Sequence, residues 1–224
     1  MVKQNFQKTD NPVQTFFKTP IFRSWGPILV AAVLWFLMFS IWTKHLFNFW
    51  IGIAISASVL MVVAIILRKE ILKQFQWTWK AIGFGLLAAT ALYIVFYLGE
   101  YFSGLLFGFA REQVDNIYAL KEGQSKLWIA LGLIFIMGPA EEIFWRGYVQ
   151  QNFINKYGEW KGFVFATLIY ALVHIWSFNF MLVMAALVCG IFWGLMYRYN
   201  KNLVPLVISH AVWDVAVFIL LPIM

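Results

Sequence analysis

Seven apolar runs, at residues 25–43, 47–67, 81–109, 127–150, 160–176, 179–199 and 203–222, take up most of this chain, and only short polar stretches separate them. A helix needs about 20 mainly apolar residues to cross a bilayer core of about 30 Å. In hydrocarbon, a helix also satisfies its own backbone polar groups, which an open sheet cannot do. The runs therefore predict an all-α fold, a polytopic transmembrane helical bundle of about seven helices. Composition agrees: charged residues are 12% of the 224 and hydrophobic residues 62%, whereas soluble domains average about 25% charged. Mean hydropathy is +0.77, and 12 tryptophans suit rings that settle at the headgroup level.

The first twenty residues are polar and the first apolar run begins near Pro27, unlike a cleaved signal peptide, so the first helix is expected to remain as an anchor. Basic residues set the orientation. Lys3, Lys8, Lys18, Arg23, Arg68, Lys69, Lys73, Lys80, Lys156, Lys161, Arg198 and Lys201 fall on one side, against Lys44, Arg111, Lys121 and Lys126 on the other. The positive-inside rule then places the N-terminus in the cytoplasm and, with seven spans, the C-terminus outside. The expected organisation is a cytoplasmic N-terminal segment (1–24), N-terminal transmembrane helices (25–124) and a catalytic helical core (125–224).

The net charge of +7 does not point to nucleic acid, because the basic residues are scattered through loops and form no continuous face. Cys189, a lone cysteine in an apolar run, reads as a small core residue. The segment 68–80 reads either as a surface-lying amphipathic stretch or as a basic connector, and 111–126 as the most soluble-looking loop after the N-terminus. Gly190 and Gly194 have the spacing of close helix approach, within the fold or between protomers.

Ionisable side chains inside the apolar runs carry the chemistry. A charge at a helix centre costs about 2.5–3.5 kcal/mol on the insertion scale, so such residues face polar cavities or one another. Six stand out: Glu141, Glu142, Arg146, His174, His210 and Asp214. Glu142 and Arg146 are four apart and share a helix face, while Glu141 points about 100° away and is left available. Gly138-Pro139 just before them predicts a kink that opens room beside the carboxylates. His210 and Asp214 are also four apart and share a face, so the carboxylate can orient the imidazole or hydrogen-bond the same target. His45 and Glu100 read as interfacial. Carboxylates and imidazoles from three helices are the groups that activate water and exchange protons near neutral pH.

Glu141 to Arg146 (EEIFWR) and His210 to Asp214 (HAVWD) match the EExxxR and His-x-x-x-Asn/Asp motifs, and Tyr170 to His174 (YALVH) is similar to a Phe-x-x-x-His motif. In that order they resemble the CPBP family, the CAAX proteases and bacteriocin-processing enzymes also called Abi proteins, over residues 125–222. The resemblance implies an intramembrane endopeptidase in which Glu141 and His174 activate a water, His210 and Asp214 stabilise the oxyanion, and Glu142 and Arg146 support the helix. Two residues depart from the pattern. Tyr170 brings a hydroxyl that needs a partner, and Asp214, when ionised, cannot donate to an oxyanion.

No cofactor is favoured; zinc on Glu141, His174 and His210 is the alternative, although no HExxH helix presets two ligands. The implied partners are the bilayer and a membrane-associated peptide or protein: a bacteriocin or signalling-peptide leader, or a CAAX-type C-terminus. The expected location is a cell membrane, on family analogy a bacterial one. An ion-coupled transporter and a non-catalytic immunity or scaffold protein remain as other readings. Geometry poses a further question, because His174 falls toward the end of its run and Glu141 nearer the middle of its own. They meet only if the His174 helix is short or tilted.

Overall fold

The computed structural model describes residues 19–223; Lys3, Lys8 and Lys18 of the orientation argument lie outside the described residues. Its helices are α1 (Pro20–Phe39), α2 (Phe49–Leu67), α3 (Trp79–Leu106), the short α4 (Ala110–Tyr118), α5 (Lys126–Tyr157), α6 (Glu159–Leu172), α7 (Phe180–Tyr199) and α8 (Val204–Val215). α2, α3, α5, α6 with its following turn, and α7 are long and apolar enough to cross a membrane. α1 and α8 are the two shorter apolar helices, spanning Arg23–Phe39 and Val204–Leu220 in that measure. A helical membrane bundle is therefore the architecture, and every apolar run in the sequence is one of these helices.

Polar residues at the run edges become caps. Asn48, Thr78, Ser125 and Asn179 each accept a backbone N–H with the side chain at the start of α2, α3, α5 and α7, satisfying a donor that the first helical turn leaves free. α5 and α6 meet at Gly158, whose φ of +85° lies where only glycine is unstrained.

α5 is the centre of the bundle, with α2, α6 and α8 packed against it, while α3 lies along α8 and α7 along α6. α1 rests on α2 and on the turn at Ile175–Ser177. Gly138 allows the α5–α8 contact: a Cβ there would stand 3.2 Å from the Ala211 backbone nitrogen. This approach brings the Glu141–Glu142 turn against His210. Pro139 does not end the helix; a π-helical turn at Leu133–Met137 precedes it and a second follows at Ile143–Gln150. Wide turns of this kind re-route the backbone bonds that a proline leaves unmade.

Two connectors carry structure of their own. The 68–80 segment forms a 3-10 turn (Lys69–Gln74) that buries Ile71 completely. It is pinned to the α7–α8 loop by Leu203 N–H donating to Gln74 O and by paired bonds between Asn202 and the Gln76 backbone. The stretch that reads as a soluble loop contains α4, which turns Val114, Ile117 and Tyr118 toward the interior. Gln113 of α4 in turn caps α7 through Asn179 and Met181. Gly190 and Gly194 face Thr167, Tyr170 and Phe163 of α6, a close approach within the chain.

Candidate active site

The six ionisable residues singled out above converge where α5, α6 and α8 meet. Glu142 is fully buried and Arg146 nearly so, and their side chains meet at 3.0 Å. The same Glu142 oxygen accepts a 2.8 Å bond from His210 Nδ1. With Arg146 donating to that oxygen, it is an ionised acceptor, so the His210 Nδ1 carries the proton. Arg146 also donates to the Cys189 carbonyl and lies over the Tyr170 ring, 4.6 Å from its centroid. A buried charge pair of this kind is held by its full set of partners, since removal of one leaves an uncompensated ion.

His210 is thus oriented by Glu142, from the neighbouring helix. Asp214, expected to do this from one turn away, approaches only the other ring nitrogen, at 3.5 Å. The imidazole is further fixed by stacking on Trp193, with ring centroids 3.9 Å apart. His210 and Asp214 both border the interior cavity.

Glu141 points away from the buried pair, as the helical period requires, and accepts a 3.2 Å bond from the Tyr170 hydroxyl. The departure from phenylalanine at position 170 therefore has a partner, and the partner is the available glutamate. His174 lies just past the end of α6, which is only 14 residues long. His174 Nδ1 meets the Tyr170 carbonyl at 2.9 Å, so Glu141 and His174 both touch Tyr170, one through its hydroxyl and the other through its backbone. On the far side of the ring, Trp35 of α1 donates its indole N–H to His174 Nε2 at 3.1 Å.

Glu141, His174, His210 and Asp214 all line one cavity of about 480 Å³, walled chiefly by apolar and aromatic side chains. Such a concave apolar space with a few convergent polar groups is the usual form of a small-molecule or peptide-chain site. α4 closes one end of it. There Lys121 donates to the Phe218 carbonyl and the Tyr118 hydroxyl accepts from Ile223 N–H. Burial pushes the Tyr118 hydroxyl above its ordinary pKa and the Lys121 ammonium below its own.

Glu100 also lines the cavity and pairs with the exposed Arg111 at 3.3 Å. His45 is exposed in the 3-10 turn after α1, apart from these groups. Trp35 and the α4 wall were not visible as site residues in the sequence. One tryptophan among 12 carries no signal, although Val114, Ile117 and Tyr118 do have the i, i+3, i+4 spacing of an inward helix face.

Among the described residues no group of three or more His, Cys, Asp or Glu side chains is placed to hold a metal ion. At His174 one ring nitrogen faces a carbonyl and the other an indole N–H.

No curated protein and no solved structure matches the chain. Residues 123–216 do match a family model, described as type II CAAX prenyl endopeptidase, Rce1-like. That stretch runs from the start of α5 to the end of α8 and contains all six buried ionisable residues. Over the helices that build the site, the chain matches the CAAX protease family, the one that its motifs resemble.

Proposed function

We propose that the protein is an intramembrane endopeptidase that hydrolyses a peptide bond of a membrane-associated peptide or protein by glutamate-activated water, without a metal. The observation that carries this reading is the shared cavity: the Glu141 and Asp214 carboxylates and two imidazoles border one largely apolar space. A transporter needs ionisable groups along a path through the membrane. Here they are gathered at one place.

In the proposed reaction, a water sits between Glu141 and His174. Glu141 takes one of its protons while the water oxygen attacks the scissile carbonyl carbon, and His174 accepts a hydrogen bond from the other hydrogen. The carbonyl oxygen becomes an oxyanion and accepts a hydrogen bond from His210 Nε2, which carries a proton in the imidazolium form because the Nδ1 proton is held by Glu142; such a donor is most effective where water is scarce. Glu141 then passes its proton to the amide nitrogen, the C–N bond breaks, and acid and amine products leave. Glu142 and Arg146 hold His210 in place. Asp214 assists as a donor only in its protonated form.

The apolar cavity suits a substrate whose cleavage point is held beside an apolar chain. The matched family is named for prenylated CAAX peptides; a peptide leader entering from the membrane has the same requirement. Purified protein in detergent would be offered prenylated C-terminal peptides and a leader-peptide library, alongside Glu141→Ala and His174→Ala, each with and without chelator. Cleavage of either class that survives chelator and is lost in both variants supports the reading. Loss with chelator moves the chemistry to a metal, and absence of cleavage by folded protein across both classes overturns it in favour of a partner-binding role.

A further inference from the structure

His174 is held at both ring nitrogens, and the chemistry of its partners fixes which one carries the proton. The Tyr170 carbonyl can only accept, so Nδ1 donates to it; the Trp35 indole N–H can only donate, so Nε2 is the bare nitrogen. The single lone pair of the neutral imidazole is therefore occupied by Trp35. Trp35 is fully buried, lines the cavity and comes from α1, the helix that leans on the site from the side. Phe39, one turn further along α1, packs edge-on against the same imidazole at 5.2 Å.

We infer that Trp35 is a positioning residue that caps the His174 lone pair in the resting protein, and that the attacking water reaches His174 only when the indole N–H withdraws from Nε2. The inference rests on the proposed role of His174. It adds that the two-sided clamp selects the Nδ1–H tautomer, so that the nitrogen facing α1 is the one prepared to accept a hydrogen bond. Retraction of the indole then leaves the imidazole in the correct tautomer with its acceptor free. No new proton transfer is required.

The test reads His174 directly and needs no substrate. In wild-type protein labelled with ¹⁵N-histidine, with His174 assigned by loss of its signals in His174→Asn, the expected result is the Nδ1–H tautomer. An Nε2–H tautomer would overturn the inference, because the indole then has nothing to donate to. Diethylpyrocarbonate acylates a bare imidazole nitrogen, and peptide mass mapping reports each of the 3 histidines separately. Trp35→Phe, which keeps a ring but removes the N–H, should speed acylation of His174 about fivefold, the factor equivalent to roughly 1 kcal/mol of hydrogen bond. His45, exposed and remote, should be unchanged. Phe39→Leu loosens the same aromatic wall and keeps the N–H, so it should not reproduce the effect. Equal acylation in folded Trp35→Phe, or equal acceleration in Phe39→Leu, would sink the cap. Should the tautomer and acylation results hold while no peptide is cleaved, the cap stands and the protease reading falls.

Discussion

α3 and α5 are the two longest helices of the bundle, with 28 and 32 residues, and both pass as apolar membrane spans. They are used in opposite ways. An 18-residue apolar stretch of α3 is 28% buried, and the helix turns Leu86, Leu87, Ile94 and Leu98 outward. The corresponding stretch of α5 is 44% buried, and that helix holds Glu142, Arg146, Gln150 and Gln151 inside the protein. A helix in contact with lipid gains little by burying apolar side chains, since lipid is as apolar as leucine. A helix at the centre of the bundle can hold polar groups, provided each finds a partner. Gln150 donates to the Gly194 carbonyl and Gln151 accepts from the Tyr197 hydroxyl, so the polar face of α5 is largely satisfied by α7.

This contrast is most directly broken at Glu141. Glu141→Gln preserves shape and should lower cleavage about 10²–10⁴-fold, the range that a positioned general base contributes, while Glu100→Gln on the cavity face of α3 should leave the rate within a few-fold. Initial-rate assays on both variants decide it. Next in size is the buried pair. Arg146→Leu leaves Glu142 and His210 without their cation and should cost about 3–5 kcal/mol of stability. Thermal unfolding in detergent measures the loss, and Glu142→Leu combined with Arg146→Leu should recover part of it.

Gly138→Ala sharpens the comparison from the backbone side. The added methyl presses on the α8 backbone at Ala211 and should cost about 1–3 kcal/mol by overpacking, with a loss of cleavage larger than the loss of folded protein because Glu141 and His210 are moved apart. The smallest effect is expected on the lipid face, where Leu87→Ala on α3 should change stability by about 0.5 kcal/mol or less. An effect of several kcal/mol there would mean that this face is covered by protein.

The sequence was most legible where a single physical rule decides. Apolar run length located each long helix, and the cost of a charge in lipid isolated Glu141, Glu142, Arg146, His174, His210 and Asp214, all of which the fold brings together. It was least legible where two partners come from distant helices. The i, i+4 rule offered Asp214 as the group that orients His210, but Glu142 across the α5–α8 contact is nearer and better aimed. The same rule cannot report that the hydroxyl of Tyr170 is bound to Glu141, or that Trp35 reaches His174 across 139 positions of sequence. α4 was missed as a helix because its exposed residues are polar enough to resemble a loop, although its inward face has helical spacing.

The π-helical turn at Ile143–Gln150 has a consequence for how this chain tolerates change in length. In a regular α-helix, the gain or loss of one residue rotates everything beyond it by about 100°, and a buried face becomes a lipid-facing one. A π-turn already holds a surplus residue in a widened loop of backbone. Removing one there lets the helix tighten while the carboxylates upstream and the glutamines downstream keep their angular phase. Along α3 the same deletion has no slack to draw on, so the most densely constrained helix of the bundle is also the one with a built-in allowance for losing a residue.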